Sequence, residues 1–190
     1  MRFTATELAI PGVLLVSAPR FEDSRGYFME SYRARTFEEL GMPAVFVQDN
    51  QAFSADAGTI RGLHFQMPPR AQAKLMRAIR GAVFDVAVDL RRGSPDFGKW
   101  VGATLSAENG KQLYLPAGFA HGYCTLVPDT EVAYKCDAYY ATDAEAGILF
   151  SDPNIGIAWP VDPAAAIVSD KDRGLPLLAD VASPFAMELM

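Results

Sequence analysis

The sequence predicts an all-β fold, mainly antiparallel, in the form of a sandwich or jelly-roll β-barrel with a few short helices. Three observations predict it. Apolar residues recur with a two-residue period in several segments, Gly, Pro, Asn, Asp and Ser clusters cut the chain roughly every 10 to 14 residues, and a helical period is scarce.

Taken in chain order, Arg35 to Gly41 reads as a short helix, with Thr36 as its N-cap and Glu38 and Glu39 in the first turn. Gln72 to Arg80 alternates as a strand. In the next segment Phe84, Val86, Val88 and Leu90 fall on one side and Val83, Asp85, Ala87 and Asp89 on the other, the pattern of a half-buried strand. Turns are expected at Arg91 to Asp96, Ser106 to Gly110, Pro116 to Gly118 and Ser151 to Asn154. Thr130 to Asp137 reads as another strand, with Val132, Tyr134 and Cys136 sharing a face. A barrel of this kind encloses a cavity, so the site is expected to line its interior.

A chain of 190 residues suits a single domain over residues 1–190, with about ten C-terminal residues loosely ordered. Its 50% hydrophobic and 21% charged residues exclude a disordered chain. The longest apolar stretches reach about five or six residues, far short of the roughly 20 that a membrane helix needs. Met1 to Ile10 carries Arg2, Thr4, Thr6 and Glu7 in place of an apolar signal core, so a cytoplasmic protein is expected. The net charge of -6 disfavours nucleic acid and anionic membranes as partners while leaving room for a local basic pocket. Cys124 and Cys136 form no paired motif and read as buried thiols.

The only two histidines, His64 and His121, lie in Arg61-Gly-Leu-His-Phe-Gln66 and Pro116-Ala-Gly-Phe-Ala-His-Gly122. Either could be a hydrogen-bonded structural residue, but charges accompany them in apolar surroundings: Arg61, Lys74, Arg25, Glu30, Lys171 and Asp172. Arg61 and His64 are three positions apart, so regular alternation would set them on opposite faces. A bulge at Gly62 would bring them to one face. Leu115 to His121 resembles the second metal-binding motif of cupins, which makes a metal-dependent cupin a rival reading. The His-x-His pair of those proteins is His64-Phe65-Gln66 here, which leaves a divalent ion short of ligands.

The full run of motifs resembles the dTDP-4-dehydrorhamnose 3,5-epimerase family, a cupin-like jelly roll. It comprises Phe21-x-Asp-x-Arg-Gly-x-Phe28, Glu30-Ser-Tyr32, Gln48-Asp-Asn50, Arg61-Gly-Leu-His-Phe-Gln66, Gln72-x-Lys-Leu75 and Val83-Phe-Asp-Val-Ala-Val-Asp89. It continues through Pro116-x-Gly-Phe-Ala-His-Gly122, Tyr134-Lys135, Tyr139-Tyr140, Asp152-Pro-x-Ile-Gly-Ile-x-Trp-Pro160 and Ser169-x-Lys-Asp172. Phe150-Ser151 departs from a frequent Trp-Asn, and the loop near Val161 to Ile167 is a residue longer than in some relatives.

The resemblance implies an isomerase that inverts C3 and C5 of a dTDP-linked 4-keto-6-deoxyhexose without metal or other cofactor. It assigns His64 as base, Asp172 as its partner (Asp170 if the longer loop shifts the register), Lys74 as stabiliser of the enolate oxygen and Tyr134 as acid from the opposite side. It gives Arg25, Arg61 and Lys171 to the diphosphate, Glu30, Gln48 and Asn50 to the nucleoside, Tyr140 to stacking on thymine, and His121 and Glu145 to holding the ligand. It also implies a homodimer in which an N-terminal segment crosses to the partner, with the donor subunit of Arg25 and Glu30 left open. A single-centre 3- or 5-epimerase and a sugar-nucleotide-binding module without catalysis remain as alternatives.

Overall fold

In the computed structural model, which describes residues 2–42 and 45–187, the chain begins with β1 (Thr4–Glu7), β2 (Leu14–Ser17), β3 (Arg20–Asp23), β4 (Gly26–Met29) and helix α1 (Ala34–Glu39). The strands β5 (Gln48–Ser54), β6 (Ile60–Gln66), β7 (Lys74–Arg80) and β8 (Ala82–Asp89) follow. After β9 (Trp100–Ser106), β10 (Lys111–Leu115), β11 (Phe119–Thr125), β12 (Thr130–Cys136) and β13 (Glu145–Gly147), a long irregular segment leads to α2 (Asp170–Arg173).

Among the described residues, the pairings between these strands are all antiparallel. They make a six-stranded sheet in the order β1-β2-β10-β7-β12-β5, a five-stranded sheet in the order β13-β6-β11-β8-β9, and a separate β3-β4 hairpin. The two large sheets face each other as a cupin-like jelly-roll barrel. Alternation along each strand divides the apolar residues between the inside and the outer faces.

Inside, Met76, Ala78, Val83, Ala87, Leu105, Leu113 and Val132 interdigitate across the two sheets. Phe37, Met42, Val16, Leu75 and Tyr114 pack on the outer face of the six-stranded sheet. The outer face of the five-stranded sheet presents Leu63, Phe65, Val86, Val88 and Leu90, and the segment after β13 covers it with Ile148, Phe150, Ile155 and Trp159. Each such fully buried large side chain contributes about 1.5–3 kcal/mol, so the irregular segment is held by packing in the absence of a ladder. Among the described residues no helix is long and apolar enough to cross a membrane.

Three local expectations are revised. Helix α1 begins one turn earlier than its capping signal suggests: Arg33 is at the N-cap without a side-chain bond, and Thr36 lies inside the helix. Packing decides the start, because Phe37 is completely buried against Phe3 and Tyr32, at ring distances of 5.4 and 5.0 Å. Strand β8 is buried on both faces, with Asp85 and Asp89 fully inaccessible. Its polar face points into the barrel, where His121 and Arg91 supply partners. The C-terminal tail is anchored through residue 187: Ser183 Oγ donates to the Leu90 carbonyl, Phe185 packs edge-on to Phe65, and Met187 N–H donates to Arg92 O. Residues 188–190 of that tail lie outside the described residues.

Asp89 pins the β8 end of the barrel. Its carboxylate accepts from Arg91 Nε at 2.9 Å and Nη2 at 2.7 Å, and from Ser94 Oγ at 2.6 Å, while the Arg91 guanidinium stacks on Phe119. Burial alone would raise its pKa, but these bonds outweigh it and hold the carboxyl below its ordinary value. Removing one partner of a buried pair costs about 3–5 kcal/mol, so Asp89→Ala should lower the unfolding free energy from urea titration at pH 7 by that amount, with a correspondingly lower midpoint. Because the folded pKa is depressed, the contribution is complete above the unfolded carboxyl value of about 3.9 and fades as pH falls through the folded one. The gap between wild type and variant should therefore close in urea titrations repeated at progressively lower pH.

Candidate active site

The site is organised by an irregularity in β6. His64 pairs with His121 and Arg61 with Tyr123 on β11, so Gly62 and Leu63 together oppose Gly122. This is the bulge at Gly62 that would bring Arg61 and His64 to one face despite their three-residue spacing. It turns both side chains into the barrel and sends Leu63 into the outer apolar layer. Only glycine fits at position 62: its φ is +119°, and a Cβ there would lie 2.6 Å from both Gly122 Cα and the His121 carbonyl oxygen.

Asp172 closes this arrangement from the other end of the chain. The parallel bridge between Thr59 and Ile167 lays the segment before α2 along β6, and Ser169 caps α2 by accepting the Asp172 N–H at 3.1 Å. The Asp172 carboxylate is 2.7 Å from His64 Nε2 through Oδ1 and accepts the Gly62 N–H at 3.1 Å through Oδ2. Asp170, the alternative partner, is exposed. Burial pulls the Asp172 pKa upward, but the bonds from His64 and Gly62 prevail and keep it low. With Asp172 ionised, the shared proton resides on Nε2 and Nδ1 is the basic nitrogen of the ring.

The facing sheet contributes Lys74 from β7 and Tyr134 from β12. Lys74 is 8% exposed, its Nζ is 3.4 Å from the His64 carbonyl oxygen, and burial pushes its pKa below the usual lysine value. Burial pushes the Tyr134 phenol up, so it keeps its proton at neutral pH. Arg61, His64, Lys74, His121, Tyr134 and Asp172 line a cavity of about 500 Å³. An adjoining cavity of about 210 Å³ shares His64, Lys74 and Tyr134 and extends to Gln48, Asn50, Tyr140 and Glu145.

At the rim, Glu145 accepts from Lys171 Nζ at 2.7 Å and from Tyr140 Oη at 3.0 Å. The Lys171 contact is the main reason that the Glu145 pKa is lowered. Arg61 donates to Ser54 Oγ and to the Phe53 carbonyl oxygen. His121 is bonded to Asp85 at 2.8 Å. Gln48 is occupied within the protein, accepting from the Tyr140 N–H and donating to Asn50. Among the described residues, no group of three or more His, Cys, Asp or Glu side chains is arranged to hold a metal.

Arg25 and Glu30 are not brought to this cavity within the chain. Arg25 forks onto Asp23 in the exposed β3-β4 hairpin, and Glu30 pairs with Arg33. Conversely, Tyr123 and Ser169 line the cavity and Asp85 supports it through His121, although sequence alone assigns a site role to none of the three. The inward phase of β8 and β11 was the available signal for Asp85 and Tyr123, but alternation cannot tell which partner a buried group will find.

The family model described as dTDP-4-dehydrorhamnose 3,5-epimerase matches residues 7–180. The chain is 52% identical over 177 residues to the dTDP-4-dehydrorhamnose 3,5-epimerase of Pseudomonas aeruginosa, covering 93% of this chain and 96% of that protein. It is similar to the Bacillus anthracis enzyme of the same name, crystallised with TDP and PPi, at 51% identity and a TM-score of 0.89 over 92% of this chain and 99% of that one. The Legionella pneumophila epimerase in complex with dTDP-4-keto-L-rhamnose superposes with a TM-score of 0.93 at 39% identity, covering 100% of both chains.

The steric demand at the bulge predicts the outcome of a single added methyl group. Gly62→Ala must force a positive φ on alanine and push apart two backbones, at a cost of at least about 2 kcal/mol. A urea titration should show that loss, and the thermal midpoint should fall with it.

Proposed function

The chain belongs to the dTDP-4-dehydrorhamnose 3,5-epimerase family, and we propose that it inverts C3 and C5 of dTDP-4-keto-6-deoxy-D-glucose to give dTDP-4-keto-L-rhamnose. The observation that carries this reading is the His64–Asp172 pair, 2.7 Å apart, opposed across one cavity by Lys74 and Tyr134.

The chemistry follows from the C4 ketone, which acidifies the hydrogens on C3 and C5. His64 accepts a proton from carbon, and Asp172 stabilises the imidazolium that forms while fixing the ring's orientation. Lys74 stabilises the negative charge that develops on the C4 oxygen, an effect strengthened by its burial. Tyr134, on the opposite wall, returns a proton to the other face of the sugar, which inverts the centre. Before the second centre reacts, the imidazolium gives up its proton to solvent and the phenolate takes one back, which returns both groups to their starting states. Neither step requires a redox cofactor or a metal.

Arg61 and Lys171 meet the diphosphate, Tyr140 stacks on the thymine, and Asn50, Gln48, His121 and Glu145 hold the remainder of the ligand. Arg25 and Glu30 serve the site of a second copy in a homodimer. The position of the β3-β4 hairpin away from its own cavity supports this, as does the exposure of Phe21, Tyr27 and Phe28, the last at 71%. A nucleotide-sugar substrate and two buried, unpaired cysteines suit a cytoplasmic enzyme.

Reaction of dTDP-4-keto-6-deoxyglucose in heavy water, followed by NMR, should place deuterium at both C3 and C5. Label at one carbon alone would identify a single-centre epimerase. His64→Ala should lower kcat by about 10²–10⁴ while calorimetry finds thymidine diphosphate affinity nearly unchanged. In Tyr134→Phe, exchange at carbon should outlast inversion, because His64 can still return the proton to the face it came from.

The dimer has its own test. When Arg25→Ala and His64→Ala chains are co-expressed, a crossed site is intact in one half of each mixed dimer. Random pairing should restore about a quarter of the wild-type rate, whereas sites confined to single chains would leave the mixture no better than the sum of its parts.

A further inference from the structure

Tyr140 lies in an exposed connection between β12 and β13, outside any strand, yet its backbone is held on both sides. The Ala138 carbonyl accepts from Gln72 Nε2 at 2.7 Å, and the Tyr139 carbonyl accepts from Gln66 Nε2 at 3.3 Å. The Tyr140 N–H donates to Gln48 Oε1 at 2.8 Å, and the Ala141 N–H donates to Gln66 Oε1 at 2.7 Å. Four successive backbone groups are thus bound by three glutamine side chains drawn from β5, β6 and the β6-β7 connection.

Gln66 is the buried centre of this clamp, at 4% exposure. Its amide nitrogen also donates to the Arg70 carbonyl at 2.6 Å, so both of its N–H groups and its oxygen are used. A neutral imidazole, with one donor and one acceptor, could not make this set of bonds. Gln66 lines the smaller cavity beside Tyr140 but is given no part in the chemistry above.

We propose that Gln66 is a positioning residue for recognition of the nucleotide base. By holding the peptide groups on either side of Tyr140, it fixes that ring at the cavity rim before the ligand arrives. Binding then avoids the entropic cost of ordering the loop. The inference rests on the reading of Tyr140 as the stacking residue, and Gln66 acts only through it.

The test uses Gln66→Glu, which keeps the shape and the acceptor for the Ala141 N–H but turns an acceptor toward two carbonyls. Calorimetry with thymidine diphosphate should show affinity falling about tenfold, the scale of one such bond. KM should rise to match while kcat stays within about twofold. Tyr140→Ala should lose a similar factor, and adding Gln66→Glu to it should cost less than about twofold more. A fall in kcat at unchanged KM, or losses that multiply in the double variant, would overturn the proposal. Affinity lost in Tyr140→Ala but kept in Gln66→Glu overturns it alone, whereas affinity kept in Tyr140→Ala overturns the stacking role as well. If Gln66→Glu fails to fold, Gln66→Met keeps the volume without the bonds and carries the same expectations.

Discussion

The close approach of two glycine backbones, Gly62 on β6 and Gly122 on β11, is the constraint on which the site depends. It permits the bulge, the bulge turns Arg61 and His64 to one face, and the amide it reorients is one of the two groups that Asp172 binds. His64, the proposed base, and the carboxylate bonded to it are therefore positioned by the same local irregularity. A regular β6 would alternate His64 and Arg61 across the sheet and present no amide to Asp172.

Around this point the barrel solves a problem of buried charge. Asp85, Asp89, Asp172 and Lys74 are all at least nine-tenths buried in a chain with a net charge of -6. Each aspartate has a partner that faces it: His121, Arg91 and His64 respectively. Lys74 has no ion-pair partner within 4 Å among the described residues, and its pKa is drawn down by burial. A buried cation without a bonded anion is costly, but that same deficit makes it attractive to an oxygen that becomes negative in the proposed reaction.

The two halves of the ligand would meet different kinds of surface. The proposed sugar site is enclosed by strands whose register is fixed on both sides by ladders. The rim proposed for the base is a connection without a ladder, where glutamine side chains substitute for strand neighbours. Rigid strands suit proton transfers that tolerate little displacement, and a clamped loop can present an aromatic face without becoming part of the sheet.

The local sequence carries the fold class, the segments that became β7, β8 and β12, and the candidates for the groups that meet in the cavity. Alternation and turn chemistry are local, and His64, Lys74, Tyr134 and Asp172 stand in dense motifs. It also indicated the bulge, because the three-residue spacing of Arg61 and His64 conflicts with the strand period and a glycine lies between them. The three-dimensional arrangement selected Asp172 over Asp170 as the partner of His64. That choice depends on how a segment more than a hundred residues away docks against β6. It also decided that both faces of β8 are buried, since a sheet's outer face is dry only if another part of the chain covers it. The same is true of Gln66 and Gln48, whose amides hold a distant loop, and of Arg25 and Glu30, which the fold carries away from the cavity. In every such case the outcome depends on which distant segment arrives at a surface, and periodicity in one strand holds no record of that.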